Sequence, residues 1–254
     1  LGGTYPSFST TFSIDIASNK LYLAKAGEFE IADLTDLTHP SVITKFNTLV
    51  YEPKKIQAID NYVFIGGKDG IWEKNFVVLD VTDPYNPQEL YSSTEYRVYD
   101  LDVSMPYIYL GSNKSLTVLD FSSPSSPVSI SDYHFKGFFY DDLFLDGDNV
   151  YLIIGGFFTS PILLKLNLSE LSNPQVESST PIPFCSDIWI RNGYAYLVCG
   201  ENGLLVYDVS SSSYPYYLGR YSSYENLNGI DIKDVYAFLR PEQGIEIVGL
   251  SQPV

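Results

Sequence analysis

Histidine is nearly missing: His39 and His134 are the only two in 254 residues. A transition-metal centre or a Ser-His-Asp triad depends on imidazole, so neither chemistry has much to work with. His39 precedes a repeated proline and reads as structural, and His134 reads as a solvated rim residue. Basic side chains are also scarce, with 15 Lys and Arg against 31 Asp and Glu and a net charge of −16. Such a surface repels a phosphate backbone, which excludes nucleic acid as a partner, while it favours solubility and tolerates cations or basic partners. No apolar run approaches a membrane span. There is no glycine-rich phosphate loop, no sialidase-type aspartate box, no low-complexity linker and no break in composition, so residues 1–254 are expected to form a single domain.

What is present is apolar and turn-rich. Apolar residues make up 45% of the chain and aromatics 15%, enough for a packed core, and Gly 18 and Pro 15 are spread evenly as many turns require. The chain starts at Leu1 without Met, and an upstream segment is expected to have been removed. Tyr 22, abundant Ser, few Lys and one Met resemble the composition of an exported protein, at the cell surface or outside it.

One pattern recurs six times: apolar, any, apolar, four residues, apolar, aromatic, apolar. It reads Ile14/Ile16 with Leu21-Tyr22-Leu23, Ile56/Ala58 with Val63-Phe64-Ile65, and Leu101/Val103 with Ile108-Tyr109-Leu110. It continues as Leu143/Leu145 with Val150-Tyr151-Leu152, Ile188/Ile190 with Ala195-Tyr196-Leu197, and Ile230/Ile232 with Ala237-Phe238-Leu239. Period-two alternation around links such as "RNG" and "DGDN" predicts a β-hairpin in every copy.

A further apolar run follows each hairpin and ends at Asp33, Asp80, Asp120, Asn167, Asp208 or, in the sixth copy, Gly249. Seven residues after the first five comes Pro40, Pro87, Pro127, Pro174 or Pro215. The polar residue is expected to accept backbone N–H bonds in an Asx-type turn, and the proline to open the next strand where no ladder donor is needed. Each unit is therefore four strands in about 40 residues, the content of a propeller blade.

"NFVVLDVTDPYNP" at 75–87 and "GENGLLVYDVS" at 200–210 resemble LVIVD repeats, a family of β-propeller units. The resemblance implies an all-β, six-bladed β-propeller with blades near 12–48, 54–93, 97–135, 141–181, 186–223 and 228–254. The sixth unit stops after three strands at "VGLSQPV", and "LGGTYPS" at 1–7 is expected to supply its outer strand and close the ring.

In propellers the loop between strands two and three and the loop leading to the next blade share one face. Here those loops carry Phe8, Tyr51, Tyr96, Tyr99, Phe135, Phe138, Phe139, Tyr140, Phe184 and Tyr224. Two longer loops add Trp72 and the pair Phe157 and Phe158, which blade construction does not require. Clustered aromatics on one rim read as a contact surface for a protein or carbohydrate partner. The expected partner face is Trp72, Phe157, Phe158, Tyr96, Phe138, Phe139 and Tyr140.

The innermost strands also carry carboxylates: Asp15, Asp102 and Asp231 between the paired apolar positions, and Asp100, Asp142 and Asp187 just before them. Two readings apply. Asp15, Asp102 and Asp231 converge on a hard cation such as Ca²⁺, or each Asp binds backbone N–H groups in a watery channel, which is the favoured alternative. "DGDN" at 146–149 lacks the rest of a calcium loop. "NKS" at 113–115 and "NLS" at 167–169 match glycosylation acceptors, although Asn167 already fills the capping slot.

Two functions follow. The first is a non-catalytic interaction module, monomeric, without a cofactor, binding protein or glycan through the aromatic, acidic face. The second is a hydrolase or lyase using the channel carboxylates, with a divalent cation. Cys185 and Cys199 are the only cysteines. A two-residue turn at Asn192-Gly193 sets Cys185 opposite Gly200 and Cys199 opposite Ser186, which predicts two free thiols with Cys199 buried between blades.

Overall fold

The computed structural model describes residues 11–67, 74–136, 138–156, 159–211, 214–223 and 225–250, with backbone alone at 138–141, 156 and 159. The chain is an all-β propeller of six blades, which among the described residues have four antiparallel strands in five blades and three in the sixth. No helix occurs among the described residues, so none is long and apolar enough to cross a membrane. The chain divides into two compact units, Leu1–Asp132 and Tyr133–Val254.

In the first unit, blade one is β1 (Thr11–Ala17), β2 (Lys20–Lys25), β3 (Glu28–Asp33) and β4 (Ser41–Asn47). Blade two is β5 (Pro53–Ile59), β6 (Tyr62–Gly67), β7 (Phe76–Asp80) and β8 (Gln88–Ser93). Blade three is β9 (Asp100–Ser104), β10 (Tyr107–Gly111), β11 (Ser115–Asp120) and β12 (Val128–His134). In the second unit, blade four is β13 (Phe138–Asp146), β14 (Asn149–Gly156), β15 (Thr159–Asn167) and β16 (Gln175–Pro181). Blade five is β17 (Asp187–Arg191), β18 (Tyr194–Val198), β19 (Leu204–Asp208) and β20 (Tyr216–Tyr221). Blade six is β21 (Ile230–Lys233), β22 (Tyr236–Leu239) and β23 (Glu246–Gly249). Residues 1–7, expected as its outer strand, lie outside the described residues.

The constant spacing of the repeat has a geometrical cause. In every inner hairpin the paired apolar residues face each other: Ile14 opposite Leu23, Ile56 opposite Ile65, Leu101 opposite Leu110, Leu143 opposite Leu152, Ile188 opposite Leu197 and Ile230 opposite Leu239. The links are tight. Ser18-Asn19 and Asn192-Gly193 both take positive φ, at 50° and 57° and at 51° and 78°, as two-residue turns of this hand require.

Second strands read as unbroken apolar runs because both their faces are covered. On β6, Val63 and Ile65 pack into the core shared with blade one, while Phe64 points to the core shared with blade three. On β18, Ala195 and Leu197 face blade four, and Tyr196 and Val198 face blade six. Fully buried rings such as Phe29, Phe64 and Phe76 contribute about 1.5–3 kcal/mol each by removal from water.

The repeated polar residue behaves as expected. The Oδ1 atoms of Asp33, Asp80, Asp120, Asn167 and Asp208 accept the N–H of the second residue onward at 2.7, 2.8, 2.7, 2.9 and 2.9 Å. Pro40, Pro87, Pro127, Pro174 and Pro215 each stand immediately before a fourth strand.

The thiols differ from expectation: Cys185 and Cys199 form a disulfide. The turn register is as expected, with Arg191 opposite Tyr194 and Asp187 opposite Val198. Beyond it, Ser186 N–H donates to Val198 O at 2.8 Å, the residue already facing Asp187. One extra residue on the first strand therefore shifts the pairing by one and brings Cys185 to Cys199, which is the action of a β-bulge. Both cysteines are buried.

Candidate functional site

In the first unit, loops of the expected face enclose an open cleft of about 700 Å³ beside blade two. Leu49 and Tyr51, from the segment joining β4 to β5, form one wall. The other wall is the end of β8 and its continuation, from Tyr91 to Glu95, with Lys74 at the start of the return to β7.

Backbone hydrogen bonds fix both walls. Gly27, in the β2–β3 turn, donates its N–H to Val50 O at 2.8 Å and accepts from Thr48 N–H at 3.0 Å. It has φ +71°, which favours glycine, and the Tyr51 ring rests against the turn, 3.4 Å from where a Cβ would lie. Leu49 N–H is held by Asn47 Oδ1 at 3.1 Å. Leu49 itself takes φ +58° between buried Thr48 and Val50, with its side chain 40% exposed. A left-handed leucine costs about 1–2 kcal/mol, strain of the kind that gathers at ligand clamps.

Asn75 pins the opposite wall. It is buried, its N–H reaches Ser93 O at 2.9 Å, and its Nδ2 reaches Thr94 O at 2.9 Å. Glu95 N–H donates to Ser93 Oγ at 3.0 Å. Lys74 Nζ lies 2.6 Å from both carboxylate oxygens of Glu89, so its charge is already matched.

The expected partner residues are placed as follows. Trp72, Phe157 and Phe158 lie outside the described residues. Phe138, Phe139 and Tyr140 open strand β13, with Phe138 opposite Gly155 and Phe139 opposite Ile154, so their backbone is strand rather than loop. Tyr96 is half-buried and meets Phe76 edge to face at 6.4 Å. Burial, then the neighbouring Tyr91, hold its phenol above the ordinary tyrosine range. Of the other loop aromatics, Tyr51 and Phe184 are exposed. Leu49, Lys74 and Tyr91 to Glu95 were not expected; a left-handed leucine has no sequence signal, and Tyr91 reads as an ordinary strand residue.

The inner-strand carboxylates mostly serve the backbone. Asp15 Oδ2 accepts Ala58 N–H at 2.7 Å, beside Ser13 Oγ accepting Ile56 N–H at 3.1 Å, so β1 caps the edge of β5. Asp142 Oδ2 accepts Ile188 N–H at 2.7 Å, and Asp187 Oδ2 accepts Ile230 N–H at 2.8 Å. Asp102 Oδ1 accepts Gln57 Nε2 at 3.0 Å, and Asp100 faces Lys55 Nζ at 3.2 Å. Asp231 is exposed on β21. Among the described residues, no three His, Cys, Asp or Glu side chains gather as a metal site.

A family model described as LVIVD repeat matches residues 53–94, 97–134 and 185–223. These segments coincide with blades two, three and five. Three blades thus match the LVIVD repeat. Solved structures agree with this propeller in fold. A putative 6-phosphogluconolactonase from Bacteroides uniformis is 9% identical with a TM-score of 0.82, over 98% of this chain and 83% of that one. BamB from Moraxella catarrhalis is 14% identical with a TM-score of 0.70, over 98% and 72%. The periplasmic gluconolactonase of Pseudomonas aeruginosa is 10% identical with a TM-score of 0.74, over 90% and 77%. No curated protein matches this chain in sequence.

Proposed function

We propose that this protein is a non-catalytic binding module that takes a protein or glycan partner on the loop face of its blades. The observation that carries this reading is the blade-two cleft, where two hydrogen-bonded walls hold Tyr51 and Leu49 exposed and in fixed positions. Pre-ordered contacts of this kind lower the entropy cost of association. The engagement of Asp15, Asp142 and Asp187 with backbone N–H groups supports a structural use of the inner carboxylates over an acid-base one. The hydrolase or lyase reading rests on the channel carboxylates, and the two neighbours named as lactonases add fold alone, at 9–10% identity with this chain. A disulfide favours an oxidising compartment, and we place the protein at the cell surface or outside the cell, as a monomer needing no cofactor.

A glycan array and a panel of glycosides, lactones and polyuronates test the two readings together. Array binding should persist in Asp102→Asn and fall in Tyr51→Ala. Turnover of any substrate that Asp102→Asn abolishes would refute the module.

A further inference from the structure

We infer that the blade-two cleft is a subsite for a neutral oligosaccharide; this rests on the binding-module reading above and names its ligand. Three ligand chemistries fit poorly. An anion lacks a counter-charge among the described residues, because Lys74, the one cation they bring to the cleft, is held by both oxygens of Glu89, and Glu95 adds a like charge. A wholly apolar ligand would strip water from Ser92, Ser93, Thr94 and Glu95 without replacing its hydrogen bonds. A flat protein epitope does not reach into a concavity of about 700 Å³, a volume within the range of small-ligand sites.

The lining matches a ligand that has an apolar C–H face and a belt of hydroxyls on its rim. A pyranose has both. Tyr51 is 45% exposed, with its ring backed by the Gly27 turn, and so offers one flat face to the sugar's C–H groups. Leu49 flanks the ring, turned outward by a backbone conformation that its side chain disfavours. Across the cleft, the Glu95 carboxylate can accept from two adjacent sugar hydroxyls. Ser93 Oγ already accepts Glu95 N–H, which leaves its own proton to donate. The main-chain carbonyls of Ser93 and Thr94 are occupied by Asn75, so the polar wall cannot retract when a ligand enters.

The test uses the full chain and isothermal titration with cellotetraose, maltotetraose and chitotetraose, each up to about 10 mM so that millimolar affinity registers. At least one should bind. Tyr51→Ala should weaken it about tenfold or more, and Tyr51→Trp should restore it. Leu49→Gly removes a flank of the site while relieving left-handed strain, so it should weaken binding without lowering the melting temperature. Binding unchanged by both Tyr51→Ala and Leu49→Gly would overturn the site. Absence of binding by all three saccharides would overturn the ligand class. If a lysine-rich peptide then bound in a Tyr51-dependent way, the binding module would stand and the saccharide assignment would fall. Chromatography of the titrated sugars separates the two readings from the other side: shortened products would end the non-catalytic reading while leaving the subsite in place.

Discussion

Replacing Asp187 by alanine removes the acceptor of Ile230 N–H at 2.8 Å and one of two acceptors of Ile188 N–H, at 2.9 Å. Ile188 N–H keeps Asp142 Oδ2 at 2.7 Å, so the single variant orphans one backbone donor, on buried Ile230. An unsatisfied buried donor costs about 1–3 kcal/mol, which for a chain of this size lowers the melting temperature by roughly 2–4 °C per kcal/mol. Asp187→Asn should lose less, because its amide oxygen can still accept. The sharper expectation concerns Asp142→Ala combined with Asp187→Ala. Only in the double variant does Ile188 N–H lose both acceptors, so its destabilisation should exceed the sum of the single losses by about 1 kcal/mol. Urea unfolding followed by far-UV circular dichroism, and by fluorescence of Trp189 on the same strand, measures all three. Additivity within about 0.5 kcal/mol would refute the shared-donor account.

Further outcomes follow from other parts of the fold. The disulfide spans a separation of 14 residues, so Cys185→Ser with Cys199→Ser should cost about 3 kcal/mol, and denatured, unreduced protein should show no reactive thiol. In the Asx turns, the side-chain and backbone hydrogen bonds of Thr35, Ser122 and Ser210 hold the carboxyls of Asp33, Asp120 and Asp208 below the usual aspartate range. Their contribution is complete above the unfolded value of about 3.9 and is lost as pH falls through the folded values. Replacing all three with Asn, as Asn167 already does in blade four, keeps the turn acceptor but loses the charge, so it should lower stability modestly at neutral pH, leave it unchanged at low pH and flatten the acid limb in denaturant titrations. Lys25 and Glu30 form a buried ion pair on β2 and β3, and burial pushes the Lys25 ammonium down. Glu30→Ala should cost about 3–5 kcal/mol in urea melts, and Lys25→Met with Glu30→Leu distinctly less.

Much of the fold was legible because it rests on local spacing. Ile188, Ile190, Ala195 and Leu197 face each other across a two-residue turn, and the sequence order alone determines that pairing. The Asx positions and their prolines are equally local. What escaped is where one residue is added to a strand. The bulge at Ser186 carries no marker of its own, yet it reverses the side to which Cys185 points and so decides the thiol chemistry. The cleft escaped for a similar reason. Tyr51 was visible as a loop aromatic, whereas Leu49 acquires its meaning from a φ of +58° that Asn47, Thr48 and Gly27 impose together. Tyr96 shows the opposite case: a loop aromatic by sequence, it is half absorbed by Phe76.

The side chains that reach from one inner strand to the next make neighbouring blades interdependent. Asp15 serves the blade after it, as do Asp142 and Asp187, whereas Asp102 and Asp100 meet Gln57 and Lys55 of the blade before. A blade copied into a new position would bring its own acceptor but would rely on the preceding repeat to cover its inner edge. Gene duplication within such a chain is therefore tolerated most readily downstream of a repeat that carries an aspartate at the donor-facing site. Repeats cut out singly would expose unpaired strand edges and associate with one another.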